Sequence, residues 1–230
     1  MSADTYYHRF LLSLISSKKE KISSNHNMSK LRHDFRRFVV SEHTNPLQVV
    51  FFTQGFWAVL NYRFSRSIYT NLRVPILKQL LLLVMFIWRK AIEIFTGIYL
   101  PWKAEIGKGL YIGHFGQIII NPMTKIGENC NLSQGVTIGI KHGGQHSGVP
   151  VIGNRVYIGP NAILIGGIEI GNDVLIGAGA VVTTSVPPRA VVAGNPARII
   201  SYNGSFDYVH YDDMDSDPER SIAKATIINS

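Results

Sequence analysis

Three of the eight histidines lie in glycine-rich stretches with few charged neighbours. They are His114, within Ile-Gly-His-Phe-Gly from Ile112, and His142 and His146, within the glycine-rich stretch Lys141 to Pro150. Imidazole changes protonation near neutral pH, so a positioned histidine can take the proton of an alcohol attacking an activated carbonyl and pass it to the leaving group. Three imidazoles can also hold zinc. Here two of them share one glycine-rich segment, and no metal is expected. His8, His26, His33, His43 and His210 fall outside these stretches and read as surface residues. Cys130, the sole cysteine, cannot form an internal disulfide and is better read as a small packing residue than as a nucleophile. Lys141 and Arg198 are cations suited either to phosphate or to solvent.

The elements that must position these residues follow from a beat of six. Aliphatic residues begin hexads at Leu100, Ile106, Ile112 and Ile118, at Ile126, Leu132 and Ile138, and at Ile152, Ile158, Leu164, Ile170, Ile176 and Val182. Glycine follows the aliphatic residue in eight of these thirteen hexads, and Ala104, Gly116, Cys130, Ala162 and Ala180 fill a small-residue slot. A period of six is neither that of a helix nor that of an alternating strand. It marks a parallel β-helix in which three short strands and three corners make one triangular coil. Thirteen hexads predict about four coils, roughly 20 Å tall, wound left-handed. The phase slips by two residues between Ile118 and Ile126, which predicts an insertion near Asn121-Pro122. It slips by eight between Ile138 and Ile152, which predicts a loop over Lys141–Pro150. Pro187-Pro188 is expected to end the regular coil.

The 230 residues are 46% hydrophobic and 17% charged, which excludes a disordered or collagen-like chain. Residues 1–100 hold fourteen Lys and Arg against five Asp and Glu, whereas 201–230 hold two against six. The chain therefore divides into a polar, partly disordered segment 1–44, a helical, basic and apolar region 45–98, a β-helix over 99–200 and an acidic, flexible tail over 201–230. The unbroken apolar run Leu80–Trp88 is too short to span a bilayer, which needs roughly 20 residues. Two uses of this region remain open. One is packing against another helix, domain or subunit. The other is a peripheral face on anionic lipid, with Arg37, Arg63, Arg66, Arg73 and Arg89 at the headgroups. No nucleic-acid-reading motif accompanies the basic charge, so nucleic acid is not an expected partner. The first thirty residues make a poor secretory signal, and a cytoplasmic location, free or at the inner membrane face, is expected.

The stretches YLPWKAEIGKGLYIGHFGQIIIN, IGENCNLSQGVTIG, VPVIGNRVYIGPNAILIGGIEIGNDVLIGAGAVV and AGNPARI resemble the serine acetyltransferase branch of the hexapeptide acyltransferases over about residues 97–200. Tyr62–Arg66, YRFSR, resembles a helical segment carried by such proteins. Within the branch the chain looks most similar to acetyltransferases of capsule and exopolysaccharide synthesis, of the colanic acid type. The resemblance implies a homotrimer, with pairing of trimers through the N-terminal helices as a further option. It also implies acetyl-coenzyme A as co-substrate and active sites between neighbouring chains. It places the base on His114, with backbone N–H groups to stabilise the oxyanion. Gly139, Lys141, Pro160, Ala178 and Arg198 are the implied cofactor contacts. Tyr99, Asn121, Gln134, His142 and His146 are assigned to the substrate side.

Three positions depart from the family pattern. Tyr99 stands where a carboxylate orients the base, and Val149 stands where a second histidine precedes a proline. Pro160, which has no N–H, replaces an alanine whose amide meets the cofactor arm. Losing both substrate-side groups argues against free serine as acceptor. The expected activity is thus O-acetylation of a sugar hydroxyl in polysaccharide synthesis by direct transfer. Serine O-acetylation in cysteine biosynthesis is the alternative, followed by a zinc-dependent hydratase and a non-catalytic β-helix scaffold.

Overall fold

The computed structural model describes residues 29–42, 45–212 and 214–228, so expectations for 1–28 lie outside the described residues. A first helix, α1, covers residues 29–42. Helix α2, Pro46–Phe52, starts where Asn45 accepts a hydrogen bond from the Leu47 N–H and Pro46 presets the first turn. Helices α3, Gln54–Asn71, and α4, Pro75–Thr96, run on from it. Gly97, at φ 74°, takes the left-handed cap that ends α4.

From Ile98 the chain winds as a parallel β-helix. Strands β1 (Ile98–Tyr99), β3 (Ile118–Ile120), β6 (Thr137–Gly139), β9 (Ile163–Ile165) and β12 (Val181–Val182) stack as the first face. The second face holds β2 (Glu105–Ile106), β4 (Lys125–Ile126), β7 (Val151–Ile152) and β10 (Glu169–Ile170). The third holds β5 (Asn131–Leu132), β8 (Tyr157–Ile158), β11 (Leu175–Ile176) and β13 (Val191–Ala193), with β14 (Arg198–Ser201) added antiparallel at its end. All thirteen aliphatic hexad starts are buried, and so are the small residues two positions before many of them, such as Ala104, Cys130 and Ala162. Only two inward side chains per strand fit a triangular core, which is why a beat of six appears in the sequence.

Two expectations about this winding are corrected. The first face has five rungs, so the prism has five coils instead of four. One rung is gained at β1, before Leu100. Another comes at the top, where Val191 and Val192 pair in parallel with Leu175 and Ile176 beyond Pro187-Pro188. The two-residue insertion also moves. Ile98 pairs with Ile118 and Ile120 pairs with Ile138, so Ile120, and not Ile118, continues the phase of Leu100. The extra residues therefore lengthen the corner Gly113–Gln117, which carries His114, and not the turn at Asn121-Pro122.

The helices close the bottom of the prism. Strand β2 has a free edge there, and α3 supplies its missing partners. The Tyr62 hydroxyl donates to the Ala104 carbonyl (2.9 Å) and accepts from the Ile106 N–H (3.1 Å), while Arg63 donates to the Ile106 (2.9 Å) and Gly107 (2.5 Å) carbonyls. Arg66 donates to the Lys103 carbonyl (2.9 Å). Arg63 also pairs with the fully buried Asp34 of α1 at 2.6 Å. Arg37 donates to the carbonyls of Gly109, Cys130 and His210. Burial pushes its guanidinium down to about 10, still charged at neutral pH. Arg89 stacks on Phe86, Tyr99 and Trp102. Of the arginines expected at lipid headgroups, Arg37 and Arg63 are therefore buried, and Arg66 and Arg89 are engaged within the fold. Their carbonyl and ring partners were not visible as a pattern in sequence.

The acidic segment read as flexible folds back over the third face. Tyr208 packs on Tyr157, with ring centroids 4.8 Å apart, and Phe206 and Val209 are buried. Arg155 binds Asp173 (2.7 Å) on the next coil, then Asp217 (3.4 Å) and Glu219 (3.1 Å) from the start of α5, Pro218–Ile228. The charges that suggested a solvated tail are the ones that attach it.

Candidate active site

His114 is exposed on the lengthened corner between the third and first faces. The corner is held from both sides. The Gly116 N–H donates to the Thr96 carbonyl (2.8 Å), in the last turn of α4. At φ 134°, Gly116 adopts a backbone that side chains disfavour, and a Cβ there would come within 2.9 Å of the Gln134 Cβ. The two additional residues thus carry an imidazole and a phenyl ring, Phe115, outward from the prism. The sequence reading missed Phe115 and Gly116 as parts of the site. Three successive isoleucines, 118–120, satisfied either phase and hid the lengthened corner.

Above His114 the same corner column contains Gln134, Pro160 and Ala178. Gln134 accepts from the Asn161 N–H (2.9 Å) through its carbonyl, and its side-chain oxygen is buried without a partner among the described residues. Pro160 accepts from the Gly179 N–H (2.8 Å), and Ala178 is exposed. Arg198 pairs with Ala193 at the top of this column and is exposed.

The other substrate and cofactor candidates occupy the opposite corner, between the first and second faces. Asn121 uses its side chain to accept from the Met123 N–H (2.9 Å), which leaves it occupied by its own turn. The loop from Lys141 folds as a small antiparallel hairpin in which Lys141 and Gly148 exchange backbone hydrogen bonds (2.9 and 3.0 Å). It docks through the His146 carbonyl on the Gly167 N–H (2.8 Å), and both His142 and His146 are exposed. The Lys141 ammonium donates to the Gln145 carbonyl (2.8 Å) within the loop. Gly139 has an ordinary backbone, and a Cβ there would meet Ile165 no closer than 3.5 Å, so packing within the chain does not explain the glycine.

One chain therefore does not bring the candidates together. His114, Gln134, Pro160, Ala178 and Arg198 share one edge of the first face. Asn121, Gly139, Lys141, His142 and His146 share the other, separated by the length of a three-residue strand, roughly 10 Å. Tyr99 lies on the lowest rung between them, its ring under Arg89 at 5.2 Å. The outward side chains of this face are Tyr99, Ile119, Thr137, Ile163 and Val181, and they are half-buried or exposed. The second face presents Glu105, Lys125 and Glu169, and the third is covered by the tail. Among the described residues, no group of three His, Cys, Asp or Glu side chains is placed to hold a metal ion.

Residues 150–184 match the family described as bacterial transferase hexapeptide (six repeats). The serine acetyltransferase of Helicobacter pylori (strain ATCC 700392 / 26695) is 33% identical over 157 residues, covering 68% of this chain and 87% of that protein. The chain belongs to the serine acetyltransferase family. A second member, from Synechococcus elongatus, is 33% identical over 162 residues, 70% of this chain, which spans 62% of that protein's length. Among solved structures, the Brucella abortus strain S19 serine acetyltransferase in complex with coenzyme A superposes with a TM-score of 0.64. It is 27% identical and covers 77% of this chain and 68% of that one. Membership makes the chain a hexapeptide-repeat acyltransferase. It also corrects two expectations. These relatives do not support a place beside the capsule and colanic acid acetyltransferases, nor a sugar hydroxyl as acceptor. The departures read at Tyr99, Val149 and Pro160 therefore do not argue against membership of the serine acetyltransferase family.

Proposed function

We propose that the protein is a serine O-acetyltransferase that uses acetyl-coenzyme A and serves cysteine biosynthesis. The observation that carries this reading is identity of 33% to serine acetyltransferases over more than two thirds of the chain. The geometry supports a site shared between chains. Seating a second copy on the bare first face brings the His114 edge of one chain against the Gly139–His146 edge of the next, and three copies close the ring.

In this reading His114 accepts the proton of the serine hydroxyl as its oxygen attacks the thioester carbonyl. The new C–O bond forms as the C–S bond breaks, and the proton passes from His114 to the departing thiolate. Exposed backbone N–H groups along the edge, such as that of Ala178, suit the thioester arm or the oxyanion. His142 or His146 supplies, from the same loop, the donor that Val149 cannot.

The test is thiol release from acetyl-coenzyme A by the purified protein with L-serine against a panel of sugars and other hydroxy amino acids. Efficient turnover of serine is expected. Turnover of another acceptor with none for serine overturns the reading.

A further inference from the structure

Helix α4 is apolar over half its circumference where none of the described residues covers it. Ile76, Leu80, Leu83, Ile87 and Ile94 form a stripe along about 27 Å of helix, widened by Leu77, Val84 and Phe95, and all are exposed. Ile76 and Phe95, near its two ends, are 82% and 83% exposed. The opposite side of α4 packs on α3, where Asn61 donates to the Met85 carbonyl (3.1 Å). Helix α2 adds Leu47, Phe51 and Phe52, also exposed. The eight large apolar side chains of α4, exposed together, are by themselves more than a soluble chain ordinarily leaves in water.

The charge at its border indicates what covers it. Arg73, Lys90 and Lys103 are exposed around the patch, and Lys78 lies over Tyr69 at the flank. The single acid of α2–α4, Glu93, is already bound to Lys90 at 2.8 Å. With Lys90 and Glu93 neutralising each other, a second copy of the same face would bring Arg73, Lys78 and Lys103 towards their counterparts, with no further carboxylate on α2–α4 to meet them. A bilayer with acidic headgroups supplies both the apolar layer and the counter-charge. None of the helices searched, α4 included, is long and apolar enough to cross a membrane. We infer that α2 and α4 form a docking face for an anionic phospholipid surface, on which the protein lies without spanning it. The rim is not the set of arginines the sequence suggested, since most of those serve the prism.

The test is co-sedimentation of the full chain with vesicles of phosphatidylcholine, alone or with about one third phosphatidylglycerol. Sedimentation with the anionic vesicles and little with the neutral ones is expected, weakening steeply with salt. Replacing Leu80 and Ile87 together by Glu should reduce binding at least tenfold while thiol release persists. Should that double variant fail to fold, Lys90→Glu with Lys103→Glu must reduce the preference for anionic vesicles. Failure of the full chain to sediment with either vesicle overturns the inference, as does binding indifferent to both pairs of substitutions. A double variant with a smaller mass in light scattering but unchanged sedimentation assigns the face to a second copy and also overturns it.

Discussion

At residue scale, His114 and Gly139 make separable predictions. His114→Ala removes the only imidazole among the described residues on its edge of the first face, and the ring is exposed. Turnover should fall by roughly 10²–10⁴, measured as thiol release, with the oligomer mass unchanged. Unchanged turnover would remove His114 from its role. At Gly139 an added methyl group meets only Ile165, at ordinary contact distance. Gly139→Ala should therefore keep its melting temperature. If the cofactor arm passes this edge, KM for acetyl-coenzyme A should rise about tenfold with kcat nearly constant. A variant indistinguishable from the parent would show that the glycine is not needed for ligand approach.

At the scale of elements, the prism was legible because its core accepts two side chains per strand and imposes that rule at every turn. The hexads at Ile126, Leu132 and Ile138 could be aligned from sequence alone. Where Ile118–Ile120 offered two equivalent choices, strand pairing was needed to decide, and the site's lengthened corner depended on that decision. The roles of Arg37 and Arg63 were not legible. A basic residue that binds backbone carbonyls has the same local sequence as one facing solvent, and its carbonyl partners lie 43 to 173 residues away. Asp34→Ala should show how much the edge seal matters. It leaves Arg63 buried without its counter-charge and the Leu110 N–H without its acceptor, and should cost about 3–5 kcal/mol in urea unfolding. A loss below about 1 kcal/mol would mean that water reaches the edge and replaces the carboxylate.

At the scale of the whole molecule, the three faces differ in what they offer. The third is closed by the tail through Arg155 and the second is charged, so assembly falls to the first. The protein should scatter as three 25.6 kDa chains. Ile163→Glu places a carboxylate on the fourth of the five rungs of the bare face, two rungs above the strand that follows His114. It should yield monomers that have lost turnover while keeping the β-rich circular dichroism of the prism. A monomeric variant with full activity would show that one chain suffices for catalysis.

The Thr96 carbonyl that receives the Gly116 N–H belongs to the final turn of α4, so the lever bearing the greasy stripe ends one hydrogen bond from the corner that aims the imidazole. Whatever grips that lever at its far end can tilt the reacting group without touching the groove. Adsorption and acetyl transfer would then be mechanically geared, and a vesicle added to the assay would act as a throttle.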